Sequence, residues 1–302
     1  MVSSIGNFIA VLLLAPFLLG VITRTKSLVA GRTGPPLLQV YFDLAKLLRK
    51  GFVVSDTTTW VFLAGPVVSV VAPVLAALLL PLGGRPALLS FTGDMIVFVA
   101  VFGLARFFVA TAAMDTGSPF EGMGAAREVT FSALAEPALL FGMLALTRMS
   151  GSLSLTGMLD LGASAAWEKA SASIVLILAS WFIVLLAENA RVPFDDPNTH
   201  LELTMIHEVM VLDHAGPAFG FILYGTALKL TVFATLLVSL VIPYRSGSAA
   251  LALVIFWAGL VGTTVVVGLV ESSMARLRLV RVPQLLVTAT LLAGFAVVLV
   301  LR

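Results

Sequence analysis

Cysteine is absent from this chain of 302 residues, and only 11% of its residues are charged. The lack of thiols excludes disulfides, thiolate metal sites and iron–sulfur ligation by this chain. A water-soluble domain typically carries about 25% charged residues, so the chain has too few of them to cover a soluble surface. Because 60% of the residues are hydrophobic and the mean hydropathy is +1.09, we expect most of the surface to face lipid.

The net charge of the chain is also small. The sequence pI is near 9.2, but the net charge is only +2, and the basic residues lie at helix ends rather than in one patch. This distribution is typical of a membrane-orientation signal and argues against a nucleic-acid partner. A cleaved signal peptide has basic residues before its apolar run, whereas Arg24 and Lys26 follow the run 5–23. We therefore expect a first helix that is retained.

Long apolar runs recur along the chain, and a membrane span takes roughly 20 such residues. The predicted spans are 5–23, 60–82, 93–114, 129–147, 171–187, 218–242, 249–270 and 283–301. The sequence therefore predicts an all-α integral membrane protein of about eight transmembrane helices, with residues 1–302 as a single membrane domain.

The loops between these spans differ in charge. When the spans alternate across the membrane, one set of loops carries eleven Lys and Arg residues, and the other set, with the C-terminus, carries five. Basic loops stay in the cytoplasm, so we expect a multi-pass protein with both termini outside. We use the term basic face for the membrane side that holds the loops 24–59, 115–128, 188–217 and 271–282.

The first loop of the basic face predicts an amphipathic helix over residues 37–50. Apolar residues recur there at helical spacing on one side, and Asp43, Lys46, Arg49 and Lys50 occupy the other. Such a helix lies along the membrane or packs on the base of a partner protein.

Ionisable residues inside the spans are costly, by about 2.5–3.5 kcal/mol at a helix centre, and usually face a cavity or a partner. Glu136 lies in the middle of the fourth span, and Arg106 and Lys229 are basic counterparts in other spans. Glu136 is either a proton-relay carboxylate or half of a structural ion pair, for instance with Arg106. Asp94 and Glu271, close to span ends, are either functional acids or end charges that reach the interface.

The loop 188–217 of the basic face holds six acids, three histidines and one arginine. Glu188 and Arg191 are spaced to share one helical face, prolines then interrupt the helix, and residues 200–212 predict a short second helix. His200 and His207 would stand about 10 Å apart along that helix, too far to share one zinc ion, whose ligand bonds are about 2 Å long. The alternative to a functional role is that residues 188–217 form an ordinary solvated polar loop.

Both loops resemble those of a known family. Residues 31–39 read GRTGPPLLQ and precede DLAKL at 43–47, which resembles the first cytoplasmic loop of the complex I membrane subunit that docks the peripheral arm and frames the quinone chamber. ENARVPFD at 188–195 resembles that subunit's loop between the fifth and sixth helices. Arg127 with Glu136 is similar to its fourth-helix arginine and glutamate.

Finer details resemble one branch of this family, the membrane anchors of group 4 energy-converting nickel–iron hydrogenases of the formate hydrogenlyase type. The segment PPLLQ at 35–39 is compact, and THLELTMIHE at 199–208 replaces the spaced glutamates of complex I. FF at 107–108, DTGS at 115–118 and GMG at 122–124 agree with that branch.

The resemblance implies a non-catalytic subunit that anchors a peripheral redox module and links electron transfer to proton or sodium translocation. It implies a proton path through Glu136, Glu188, Glu202, Glu208 and Asp213, although Asp213-His214 stands where relatives often have a glutamate and an aromatic residue. It assigns docking or loop-fixing roles to Arg32, Gln39, Asp43, Lys46, Arg127, Arg191 and Asp195.

The implied partners are hydrogenase-like large and small subunits, iron–sulfur subunits, antiporter-like membrane subunits and the lipid bilayer. A nickel–iron centre and iron–sulfur clusters are expected in those partners, with no cofactor and no metal in this chain. Two alternatives stay open from the sequence. One is the quinone-chamber subunit of an NADH:quinone oxidoreductase, and the other is a stand-alone secondary transporter, which would place paired half-helices or an internal repeat around a midplane site.

Overall fold

The computed structural model describes residues 2–159, 163–195, 205–242 and 249–302. Its helices are α1 (Val2–Val29), α2 (Gln39–Leu48), α3 (Trp60–Leu79), α4 (Asp94–Asp115), α5 (Pro119–Ser150), α6 (Leu155–Leu159), α7 (Ala163–Glu188), α8 (Gly216–Val241), α9 (Ala249–Ser273) and α10 (Val282–Val300). Short 3₁₀ turns occupy Glu208–Val211 and Leu279–Arg281. All helices except α2 and α6 are long and apolar enough to span a membrane, which confirms the eight predicted spans within the described ranges.

Helix α8 forms the centre of the bundle. Of its apolar stretch 72% is buried, more than in any other span of the described chain, and it contacts α1, α2, α3, α7 and α9. Gly225 permits the close approach of α3, because a β-carbon at this position would overlap the backbone carbonyl of Ser69. Helix α10 closes the far side of the bundle by packing between α5 and α7.

Contacts between loops agree with the predicted alternation of the spans. On the basic face, the Thr59 amide, which precedes α3, donates to the Asp115 carboxylate at the end of α4 at 2.6 Å. On the opposite face, the Asn7 side chain donates to the Leu82 carbonyl at 2.9 Å. Loops that the alternation assigns to the same side of the membrane therefore meet in the folded chain.

The amphipathic helix of the first loop is present as α2, and it packs against α8 and α1. The Tyr41 hydroxyl donates to the Leu13 carbonyl of α1 at 2.6 Å, which holds the helix close to the bundle. Phe42 and Leu48 stay exposed, at 60% and 54%. The helix therefore keeps apolar side chains on its free side as well as on its packed side.

The structure decides between the two alternatives that were open for Asp94, and it contradicts one predicted helix. Asp94 does not reach out to the interface: it is fully buried, and its carboxylate accepts the Leu155 amide at 2.6 Å and the Ser154 hydroxyl at 2.9 Å. The helix predicted over 200–212 is absent from its described part, 205–212, which holds only the 3₁₀ turn Glu208–Val211. Tertiary hydrogen bonds to this segment, described below, take the place of helical ones.

Helix packing gives a stability prediction at Gly142 of α5. A β-carbon at Gly142 would overlap the buried indole of Trp181 in α7, whereas one at Gly122, in the same helix, would meet no atom within 4 Å. Gly142→Ala is expected to lower the stability by about 1–3 kcal/mol through overpacking, and Gly122→Ala is expected to leave it unchanged or raise it slightly. Thermal denaturation of the detergent-solubilised protein measures both, and an equal effect of the two substitutions would contradict the packing.

Candidate functional site

Four charged side chains from four helices meet inside the bundle, and we call them the buried ion cluster: Arg106 of α4, Glu136 of α5, Glu188 of α7 and Lys229 of α8. The Arg106 guanidinium donates to Glu136 at 2.5 Å and to Glu188 at 3.0 Å. The Lys229 ammonium lies 2.8 Å from the second oxygen of Glu188. Glu188 is thus shared between two cations.

Charge balance explains why these side chains come together. An unpaired charge away from water is strongly unfavourable, so intramembrane cations require acidic partners. Two cations meet two carboxylates in the cluster, and the Glu188 side chain is only 4% exposed while that of Glu136 is 36% exposed. The ion pair of Arg106 with Glu136, one of the two sequence interpretations, is therefore present.

The loop after α7 folds back through Asp195. Its carboxylate accepts the backbone amides of Ile206 at 2.9 Å and His207 at 3.0 Å, and it forms an ion pair with Arg276 at 3.0 Å. Asp195 is 1% exposed. The buried Asp195 carboxylate therefore connects the two described parts of the loop with each other and with the segment that follows α9.

Helix α5 supports the same loop. The Arg127 guanidinium donates to the Met205 carbonyl at 2.8 Å. One turn earlier, Gly124 lets the loop approach, because a β-carbon there would overlap Val209 and the Ile206 carbonyl. Residues 205–211 therefore lie against the basic-face end of α5.

A second buried acid, Glu271 of α9, organises the neighbouring region. Its carboxylate lies 2.9 Å from the Lys26 ammonium and 3.5 Å from the Arg191 guanidinium. Glu271 is 7% exposed, so of the two alternatives for this acid the end charge that reaches the interface is excluded. The expectation that Glu188 and Arg191 share a helical face is wrong, since α7 ends at Glu188 and the two side chains enter different ion-pair groups.

A cavity of about 750 Å³ opens beside Glu271, between α1, α2, α8 and α9. Three of the predicted docking residues line it: Arg32, Asp43 and Arg191. Arg32 is exposed. Gln39 donates to Asp43 at 2.9 Å one turn along α2, and Lys46 is exposed on the same helix. These residues therefore lie together on the basic face.

The remaining predicted proton-path residues lie in or beside the loop. Glu208 begins the 3₁₀ turn and is half-buried, Asp213 is exposed, and Glu202 lies outside the described residues. The Asp213 amide donates to Glu121 at 3.0 Å. Glu136 and Glu188 meet in the ion cluster, and the structure does not bring Glu208 or Asp213 into it.

Sequence reasoning missed two acids at the start of α5, Glu121 and Glu128, because the predicted fourth span begins at residue 129. Glu121 is 1% exposed, and Glu128 lines a cavity with Arg106 and Lys229. Both acids have apolar neighbours in the sequence and precede Glu136 at helical intervals, and this pattern could have indicated that they lie on the same helix. No group of three potential metal ligands comes together in the described ranges of the chain.

His214 packs beside the entrance to α8, with its ring stacked on Phe62 at a centroid distance of 4.1 Å. Burial disfavours the charged imidazolium and lowers the His214 pKa from its ordinary value of 6.5 to about 4. The side chain is therefore neutral at physiological pH, and it serves as an aromatic packing group.

Comparisons with known proteins agree with this geometry. The NADH dehydrogenase family model matches residues 3–302. Formate hydrogenlyase subunit 4 of Escherichia coli (strain K12) is 34% identical over 278 residues, which cover 90% of this chain and 89% of that protein. Hydrogenase-4 component C of the same organism is 29% identical over 241 residues, 80% of this chain and 75% of that protein.

Two further comparisons give one more distant sequence relative and one solved structure with the same fold. An NADH-quinone oxidoreductase subunit of Rubrobacter xylanophilus is 26% identical over 174 residues, 57% of this chain and 53% of that protein. A chain in the structure of the membrane-bound sulfane sulfur reductase, an archaeal respiratory membrane complex, superposes with a TM-score of 0.82 at 20% identity, covering 98% of both chains. The fold of this chain is thus shared with one chain of a solved respiratory membrane complex.

The low pKa of His214 makes stability depend on pH. Because the folded-state pKa lies below the unfolded value, protons bind preferentially to the unfolded chain, and stability is lost as the pH falls from about 6.5 towards 4. The difference corresponds to about 3 kcal/mol. His214→Phe keeps the stack on Phe62 and is expected to reduce this acid sensitivity, as measured by melting temperatures across the same pH range. An unchanged pH dependence in the variant would contradict the assignment.

Proposed function

Because this chain belongs to the NADH dehydrogenase family, we propose that it is the membrane anchor and energy-coupling subunit of a hydrogenase-like, complex I-like oxidoreductase. It is a non-catalytic subunit of a multisubunit redox enzyme. The observation that carries the proposal is the buried ion cluster, which lies inside the bundle while the loop that follows Glu188 is fastened to the basic face. This arrangement joins a surface for a redox partner to ionisable groups within the membrane.

The partners are hydrogenase-like large and small subunits, iron–sulfur subunits and antiporter-like membrane subunits. A nickel–iron centre and iron–sulfur clusters reside in those partners, since this chain has no cysteine and thiolates hold such clusters. The formate hydrogenlyase relative matches over a longer stretch and at higher identity than the quinone-reducing relatives. That difference favours a hydrogenase-like partner over the quinone-chamber alternative.

The basic face lies in the cytoplasm of a prokaryotic cell, and both termini lie outside its cytoplasmic membrane. The excess of Lys and Arg in these loops supports this orientation. Arg32, Gln39, Asp43 and Lys46 offer charged and polar groups to the peripheral module, and Arg127, Arg191 and Asp195 hold the polar loop in place. A self-contained transporter is disfavoured because most polar side chains gather at one membrane face.

Ion movement is coupled to redox chemistry through the acids of the loop and the cluster: Glu136, Glu188, Glu202, Glu208 and Asp213. Glu188 pairs with both Arg106 and Lys229. When Glu136 takes up a proton, Glu188 becomes the only charged partner of Arg106 in the cluster, and the strengths of all three ion pairs change. A half-exposed carboxylate with one cation partner is suited to exchange its proton, while the buried Glu188 keeps the cations in position.

Glu136→Gln tests the coupling role. The substitution preserves size but removes the titratable group, so assembly is expected to persist while redox-linked ion transport falls by about tenfold or more. The measurement is ion uptake into inverted membrane vesicles, normalised to the oxidation of whichever donor the wild-type vesicles use among formate, NADH and reduced ferredoxin. Asp56→Asn, at an exposed acid of the first loop, is the control. Wild-type transport in the assembled Glu136→Gln variant would count against a relay.

The docking role of α2 is tested by replacing Asp43 and Lys46 together with alanine. Loss of both charges from one side of the helix is expected to release the peripheral subunits from washed membranes without unfolding the bundle, because Lys46 is exposed and Asp43 bonds only within α2 in the described structure. Immunodetection of the peripheral subunits in the membrane and soluble fractions measures release. Retention of those subunits on the membrane would show that Asp43 and Lys46 of α2 are not needed for docking.

A further inference from the structure

Glu128 lies on α5 between the basic face and the buried ion cluster, two turns before Glu136. It is half-buried, and among the described residues no cation lies within ion-pairing distance of it. Its neighbour Arg127 is turned towards the Met205 carbonyl instead. Glu128 is therefore an acid near the membrane interior without a salt-bridge partner in this part of the chain.

Two cavities meet at Glu128. One of about 10 Å³ is lined by Glu128, Ser132 and Glu188, with Ile206 of the loop. The other, of about 60 Å³, is lined by Glu128, Arg106, Lys229 and His207. Because a water-sized sphere fits into each of them, both cavities have room for at least one water. The walls of both cavities are mostly apolar, but each carries charged or polar groups to which a water can bond.

Unsatisfied atoms on these walls point to water as the occupant. Arg106 Nε and His207 Nε2 are buried, and neither has a hydrogen-bond partner within the described ranges. Buried polar atoms nearly always have a partner in protein or ordered water. Water in the larger cavity would therefore bond the imidazole of the loop and the guanidinium of the cluster, with the Glu128 carboxylate on the same wall.

Charge balance also singles out Glu128. The charged and titratable groups that face it are Arg106 from α4, Glu188 from α7, Lys229 from α8 and His207 from the loop. Together with Glu128 itself and Glu136, these groups contain three carboxylates and two cations, Arg106 and Lys229. The carboxylates of Glu136 and Glu188 have cations within ion-pairing distance, whereas that of Glu128 interacts with Arg106 only from farther away.

We propose that Glu128 is a proton-transfer residue that receives protons from the His207 side of the loop and delivers them through water to Glu188 and Glu136. This inference rests on the proposed coupling function and adds an entry step to it. The Glu128 carboxylate takes up one proton from the imidazolium of His207 or from a cavity water, becomes a neutral carboxyl, and returns the proton to the water beside Glu188. Only N–H and O–H bonds form and break, and no electrons are transferred.

The test compares Glu128→Gln with Glu128→Asp in the whole complex, in inverted vesicles, with Asp56→Asn as the matched acid-to-amide control. Proton uptake per donor oxidised is expected to be lost in Glu128→Gln, partly kept in Glu128→Asp and unchanged in Asp56→Asn. Glutamine has nearly the same shape as glutamate, and co-purification of the partner subunits checks assembly for each variant.

Infrared difference spectra of the complex, dithionite-reduced minus air-oxidised, give a second readout. The carbonyl stretch of a protonated carboxyl is expected in the wild type, absent in Glu128→Gln and shifted in Glu128→Asp. Equal loss of transport in both variants with an unchanged carboxyl band would reduce Glu128 to a structural group and overturn the proposal.

Comparison with Glu136→Gln separates the two levels of inference. If Glu136→Gln loses transport while Glu128→Gln keeps it, the entry step at Glu128 is wrong and the coupling function stands. If both variants transport as the wild type does, the coupling role of the cluster fails, and the entry step fails with it.

Discussion

The carboxylate of Glu188 is the group on which the interior of this bundle depends, because it is shared by Arg106 and Lys229. Two cations inside apolar helices are tolerable only when acids stand next to them. Their pairing brings α4, α5, α7 and α8 together at one point, and apolar contacts of the bundle pack around it.

The same cluster explains why the loop after α7 is well placed for coupling. Glu188 ends α7, and the chain turns at once into the segment that Asp195 ties to Ile206 and His207. Arg127 and Gly124 of α5 hold that segment from the other side. A partner that contacts the described part of this loop therefore meets a segment that Asp195 and Arg127 connect to the helices of Glu188 and Glu136.

Much of this architecture can be predicted from the sequence because lipid imposes a simple rule on helix length and polarity. The eight spans, the amphipathic helix α2 and the family follow from it and from the loop motifs, and the structure and comparisons confirm them. The partners of Glu188 could not be predicted, since apolar spans carry no signal for rotation. For the same reason the sequence left two alternatives open for Asp94 and Glu271, and their burial excludes the end charge that reaches the interface.

The most direct measurement is gentle purification of this chain from its own membrane, with mass spectrometry of the proteins that accompany it. The account predicts a large subunit with paired nickel-ligating cysteine motifs, together with small iron–sulfur subunits and antiporter-like membrane subunits. A chain that is recovered alone, with no redox subunits, would contradict the central claim that it is the membrane anchor of a hydrogenase-like complex.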